Sequence, residues 1–198
     1  MQILAATDFS TRSQRAVRRA GQLAQSEAAE LAIIHVVDDD QPQCLVEMEV
    51  RESERMLAEL IRAVPQLRDV RCHPTVVTGD PFDAIVRTAT AQAADLIVMG
   101  AHRKQLLRDI FVGTTIERVI RTGHHPVLMV NNEVNAPYEV ALTPVDLSDA
   151  SANAIRTART VGLIGEGGLD ILHAFLPRGK EDVDSWSRSI RHRRIRFE

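Results

Sequence analysis

A chain of 198 residues with 44% hydrophobic side chains is long enough to bury a core, yet its longest apolar runs, such as Leu96-Ile97-Val98-Met99, are strand-sized and far below the ~20 residues of a membrane-spanning helix. Basic side chains number 24 against 27 acidic ones, a net charge of −3, which excludes a general nucleic-acid binder and leaves no specific nucleic-acid partner to expect. The N-terminus reaches Asp8 without the basic start and long apolar stretch of a secretory signal, and Cys44 and Cys72 form neither a C-x-x-C pair nor a cluster with histidine, so the expectation is a cytoplasmic protein with reduced thiols, no membrane association and no metal.

Residues 2–7 read as a buried strand, and Ser10 or Thr11 can cap the helix after it, where Ala16, Val17, Ala20, Leu23 and Ala24 share one face. Residues 31–37 make a second strand. A longer helix follows over 45–64, with Met48, Met56, Leu57, Leu60 and Ile61 as its apolar side and Pro65 at its end. A third strand spans 70–78, and Gly79-Asp80-Pro81 turns into a helix that begins at Pro81, where a missing N–H costs nothing. Residues 95–100 form a fourth strand, 116–121 belong to a fourth helix and 126–131 form a fifth strand. Strands and helices alternate, and the strands are continuous apolar runs. Both features predict a parallel sheet covered on its two faces. Such sheets take ligands beyond the carboxyl ends of the strands where strand order reverses, so the loops after strands one, two and four are the ones to inspect.

The chain also repeats itself. Placing Asp8 on Asp146 sets an offset of 138, at which Ser10 meets Ser148, Ser13 meets Ser151, Ala16 meets Ala154, Arg18 meets Arg156, Ala20 meets Ala158, Leu31 meets Leu169, Ile33 meets Ile171 and His35 meets His173. The expected organisation is a complete domain over 1–132, a linker over 133–137, an incomplete second copy over 138–175 holding strand, helix and strand, and a polar, basic tail over 176–198 without a strand pattern. The arginines at 188, 191, 193, 194 and 196 read as a solvated or frayed end. A fragment this short buries little surface and leaves strand edges unpaired, so it is expected to dock on the first copy or on another subunit, or to be partly disordered.

The loop after strand four opens at Gly100 and closes with Gly113-Thr114-Thr115 at a helix start. Free amides of a first helical turn, the helix dipole and two hydroxyls suit a phosphate; the plainer alternative is that Gly113 turns the chain and Thr114 caps the helix. His35 and its repeat His173 read as structural, and His124 and His125 lack further ligands at metal spacing. No nucleophile elbow, P-loop or H-E-x-x-H motif occurs.

Asp8-Phe9-Ser10 after a strand, then Gly79-Asp80-Pro81, then the loop from Gly100 to Thr115, then Pro126-Val127-Leu128-Met129-Val130, resemble in that order the universal stress protein family across the whole first copy. Members that bind ATP carry Gly, two residues, Gly, nine residues, Gly and then Ser or Thr. Gly100, Gly113 and Thr114 fit that pattern, while Arg103 stands where the middle glycine belongs. The resemblance implies an α/β fold of the adenine nucleotide alpha hydrolase-like, Rossmann type, an open five-stranded parallel sheet with helices on both faces, here followed by a partial β-α-β repeat. It further implies a site for ATP or a related adenine nucleotide, with or without Mg2+, formed by Thr7, Asp8, Val36, Met99, Gly100, His102, Arg103, Gly113, Thr114 and Thr115. The matching acid lies near adenosine in relatives, and Val36 or Val37 would meet adenine through backbone groups. The implied role is a stress-response protein that acts as a nucleotide-dependent homodimer or partner-binding module, with no catalytic residue and slow or no turnover. The alternative is an interaction module without nucleotide, its phosphate space filled by Arg103. An adenylyl-transferring enzyme ranks third, since Asp8-Phe9-Ser10-Thr11 replaces the Ser-Gly-Gly loop such enzymes carry.

Overall fold

Strand β1 (Gln2–Ala6) is followed by α1 (Thr11–Ser26), β2 (Glu30–Val37), α2 (Gln43–Ala63), β3 (Cys72–Thr78), α3 (Pro81–Ala91), β4 (Leu96–Gly100), α4 (Thr115–Thr122) and β5 (Val127–Val130). The structure is a computed structural model that describes residues 1–101, 114–134, 136–165, 167–174 and 190–195. The five strands form an all-parallel sheet in the order β3-β2-β1-β4-β5, with Ile3 level with Leu31 of β2 and Leu96 of β4. Chain order reverses between β1 and β4, so the loops that leave these two strands flank the point where such sheets bind ligands.

The apolar runs explain the layering. Successive strand residues point to opposite faces, and Ile3, Leu4 and Ala5 are all fully buried, so both faces must be covered. Leu4, Ile34, Ile97 and Met99 pack with Ile85, Ala89, Ile116 and Val119 from α3 and α4. The alternate residues Ile3, Ala5, Ile33 and Val98 are buried on the other face, over which α1 lays Ala16, Val17 and Ala20. Small residues on α1 let neighbouring backbone come close. A Cβ on Gly21 would stand 2.7 Å from Leu67 Cδ2 and 2.8 Å from the Gln66 carbonyl of the 3-10 turn Pro65–Leu67.

Two local expectations shift. The third strand starts at Cys72, because the chain is still turning at Val70, whose N–H bonds to the Leu67 carbonyl at 3.2 Å. Pro74 is tolerated within it because β3 is the outermost strand. On α2, Met48 is 62% exposed, and the buried residues are Val46, Ser53 and Leu57. The inward stripe runs through Val46, Ser53 and Leu57, and Met48, two residues beyond Val46, falls on the opposite side of the helix. Among the described residues, no helix is long and apolar enough to cross a membrane.

The chain divides into two units, Met1–Asn135 and Ala136–Glu198. Within the first, Val134 is buried and Arg15 pairs with Glu133 at 2.7 Å. The second contains β6 (Ala141–Val145), α5 (Asp149–Thr160), β7 (Leu169–Ala174) and β8 (Ile190–Ile195) in the order β6-β7-β8. β6 and β7 are parallel with Ala141 level with Leu169, which is the Ile3–Leu31 pairing moved by 138 residues. Ser148 caps α5 as Ser10 caps α1. β8 runs antiparallel to β7 on the flank that β3 holds in the first unit. The sequence, read as having no strand pattern beyond residue 175, is corrected here. A strand edge presents a row of N–H and C=O groups, and backbone that satisfies them needs no apolar periodicity to announce it.

The other edge of β6 has no strand partner among the described residues. In β1 the Thr7 N–H bonds to Ile34 of β2, so by alternation the Ala6 N–H faces the β4 side. Pro144 stands at the matching position of β6 and removes that donor. α5 buries no residue, although the matching Ala16, Val17 and Ala20 of α1 are fully buried, and Leu142 and Leu147 are 62% and 78% exposed. In the first unit α1 packs against β4 and the 3-10 turn, which have no counterparts among the described residues of the second.

Gly21→Ala tests the close approach of α1. Better helix propensity would contribute about 1 kcal/mol. Overlap with Gln66 backbone should outweigh it and leave a net loss of about 1 to 2 kcal/mol, read from the denaturant midpoint.

Candidate functional site

Beyond Ala6 the chain enters a turn built almost wholly from its own polar groups. Thr7 N–H donates to the Ile34 carbonyl at 2.9 Å, and His35 Nδ1 donates to the Thr7 carbonyl at 2.9 Å, which fixes the proton on that nitrogen. Phe9 takes a left-handed conformation, φ 60°, which costs a non-glycine residue about 1 to 3 kcal/mol. The turn is held from two sides. The Phe9 N–H donates to Thr7 Oγ1 at 3.1 Å, and its ring lies 4.3 Å from the His35 ring. Ser10 Oγ accepts the Ser13 N–H at 3.3 Å and so caps α1, while Ser13 Oγ accepts the Asp8 N–H at 3.3 Å.

Asp8 itself is exposed at the mouth of the turn, its Oδ1 accepting the Ser10 N–H at 3.0 Å. Partial burial raises the pKa of its carboxyl, but the Ser10 and Ser13 hydroxyls and the local amides outweigh that effect and hold it below the ordinary 3.8. It is therefore an ionised acceptor at neutral pH.

On the other side of the reversal point, β4 ends at Gly100, and the Ala101 N–H bonds to the Val130 carbonyl at 3.0 Å. The family resemblance makes Gly100 the first glycine of the nucleotide-binding pattern. The structure gives it a packing reason. A Cβ there would stand 2.7 Å from the Arg12 carbonyl, so glycine lets the first turn of α1 sit directly on the end of β4. Thr114 caps α4, its hydroxyl accepting the Glu117 N–H at 3.3 Å. The Thr115 and Ile116 amides lie in the first turn, where helix geometry supplies no acceptor.

Val36 is half-buried near the end of β2. Since Ile34 turns its carbonyl to β1, alternation points the backbone groups of Val36 the same way, at a level where β1 has already ended. The Met99 side chain is buried in the layer under α3 and α4, so only its backbone is available at the carboxyl edge. The fold thus gathers Thr7, Asp8, Val36, Met99 and Gly100 at the carboxyl ends of three adjacent strands, and Thr114 and Thr115 at the start of α4. His102, Arg103 and Gly113 lie outside the described residues. Sequence reasoning missed Ser13, although its match to Ser151 in the repeat was a usable signal. Among the described residues no cluster of His, Cys, Asp or Glu is placed to hold a metal ion.

Comparison with known proteins bears on this arrangement. Residues 1–131 match the model of the Universal stress protein family. The chain belongs to that family. A universal stress protein of Methanocaldococcus jannaschii is 32% identical over 137 residues, covering 65% of this chain and 80% of its own length. A universal stress protein solved in complex with cAMP is 26% identical, with a TM-score of 0.56 over 66% of this chain and 96% of that one. A universal stress protein from Archaeoglobus fulgidus DSM 4304 covers 94% of this chain with 70% of its own, at a TM-score of 0.69 and 20% identity, a likeness of fold alone.

Ser10→Ala removes the acceptor of the α1 cap and should lower stability by about 1 kcal/mol, seen as a lower urea midpoint at unchanged slope. The folded pKa of Asp8 lies below its ordinary 3.8, so the stability it contributes is complete above that value and is lost as the pH falls through the folded one. Asp8→Asn should flatten this part of the acid limb in urea midpoints measured against pH.

Proposed function

We propose that the first unit binds an adenine nucleotide, ATP or a related one, across the reversal point of its sheet. The observation that carries this reading is the exposed, ionised Asp8 on a rigid turn beside the end of β4, with the capped start of α4 following the same loop. In this reading the carboxylate accepts the ribose hydroxyls, and the backbone of Val36 meets the base. The phosphates lie against Gly100 and the Gly113–Thr115 amides, with Mg2+ as an accompanying counterion. The relative solved with cAMP shares this part of the fold at 26% identity and supports an adenine nucleotide over other anions.

The protein works by binding rather than by turnover, since no described residue near Asp8 offers a general base beside a nucleophile. Its place is stress physiology in the cytoplasm, and occupancy biases a homodimer or a partner surface. β5 is the outermost strand beside the site, with half-exposed Met129 and neither proline nor charge over Val127–Val130, and it suits pairing with a second copy better than β3 with its Pro74. The second unit is an incomplete further copy of the same domain.

Arg103 favours a second reading. It takes the place of a glycine in the ATP-binding pattern, and a side chain there can fill the phosphate space, leaving an interaction module. Thermal shift separates the two. Nucleotide at 100 times its Kd adds about 2.7 kcal/mol of stability by mass action, so ATP or AMP with Mg2+ should raise the melting temperature. No shift at millimolar nucleotide rejects the binding reading. Gain of binding by Arg103→Gly identifies the arginine as a plug; loss identifies it as a phosphate clamp.

A further inference from the structure

The two copies of the strand–turn–helix loop carry the same aspartate and the same two serines, yet their hydroxyls are wired differently. In the first unit Ser13 Oγ donates its single proton to the Ser10 carbonyl at 3.0 Å and lies 3.0 Å from Thr7 Oγ1. With the Ser13 proton committed to the Ser10 carbonyl, the hydrogen between the two hydroxyls is the one on Thr7. Asp8 Oδ1 accepts one direct hydrogen bond among the described residues, from the Ser10 N–H; the Ser10 and Ser13 hydroxyls, bonded to Ser13 Oγ and to the Ser10 carbonyl, lower its pKa only through weaker contact.

In the second unit Asp146 Oδ1 receives three donors: the Ser148 N–H at 3.0 Å, the Ser148 hydroxyl at 2.5 Å and the Ser151 hydroxyl at 2.6 Å. The Ser148 and Ser151 hydroxyls hold this carboxyl far below the usual carboxylate range. The turn is otherwise the same, with φ 66° at Leu147 and His173 Nδ1 at 2.9 Å from the Val145 carbonyl. The residue that changes at the strand end is Thr7, matched by Val145, which has no hydroxyl to hold the serine. Other positions differ too, Thr11 against Asp149 and Arg12 against Ala150, but the hydroxyl chain passes only through Thr7 and the shared residues.

We propose that the residue before the loop aspartate decides whether that carboxylate is open to a ligand: Thr7 draws Ser13 away and leaves Asp8 free to accept ribose hydroxyls, whereas Val145 lets Ser148 and Ser151 close on Asp146. Thr7 is thus a positioning residue, acting through Ser13, and the chain takes one nucleotide rather than two. For its ligand this rests on the nucleotide reading above; the hydrogen-bond switch itself does not.

The full-length chain tests both parts separately. Carboxyl NMR titration without nucleotide reads the switch. Thr7→Val should move the Asp8 midpoint down towards that of Asp146, Thr7→Ser should leave it in place, and Val145→Thr should move the Asp146 midpoint up. With AMP as the probe, calorimetry should give one site per chain and about a tenfold weaker Kd for Thr7→Val, the loss of one good hydrogen bond, while Thr7→Ser keeps the affinity. Should Thr7→Val fail to fold, Val145→Thr carries the same test in the opposite direction. Unmoved midpoints in both Thr7→Val and Val145→Thr overturn the switch. Absence of AMP and ATP binding by the unaltered chain, with the midpoints moving as stated, rejects the nucleotide reading and keeps the switch.

Discussion

Strand β1 is bonded along both edges, to β2 on one side and β4 on the other, and everything at the carboxyl end of the sheet inherits its position from that double pairing. A parallel strand in this place has no freedom to slide, because a shift of one residue would turn Leu4 out of the layer beneath α3 and α4 and push Ile3 into it. The end of β1 is therefore a fixed mount, and Thr7 sits on it through its bond to Ile34. Gly100 completes the arrangement from the β4 side by letting the first turn of α1 rest on that strand's last residue. The distance between the two loops is set by packing that is independent of any ligand.

Upon this mount the turn spends conformational energy to aim a charged group. Phe9 in the left-handed region would relax if its neighbours released it, but Thr7 Oγ1 holds its amide and the His35 ring backs its side chain. The histidine is a brace: its proton is committed to the Thr7 carbonyl. The same geometry recurs at Leu147 and His173, so the turn belongs to the strand–helix unit rather than to a particular ligand. What differs between the copies is which oxygen collects the hydroxyl protons.

The architecture was legible because burial on both faces writes itself as continuous apolar strands, and the alternation with helices leaves few topologies. The position of Asp8 followed from where β1 ends, and that of Thr114 from where α4 begins. Features that depend on backbone alone were not legible. β8 completes an edge with a segment that shows no strand periodicity, and α2 carries Met48 outward because its buried stripe includes the polar Ser53, which an apolar pattern does not mark. Gly100 was visible as a glycine, but a sequence does not say that the crowding atom is the Arg12 carbonyl rather than a phosphate. Ser13 is the clearest miss. Its hydroxyl matters through the direction of one proton, which depends on a neighbour six residues away, and only the match to Ser151 set it apart.

Pro144 has a consequence for how the short sheet of the second unit behaves among other molecules. A three-stranded sheet with an open flank is a template on which another chain can lay a strand, and repeated addition of that kind leads to fibres. An imino acid facing outwards interrupts the row of donors such an incoming strand would need, next to the end of a strand of five residues. On this flank the unit keeps Leu142 and Leu147 at its surface while withholding one backbone donor from an incoming strand.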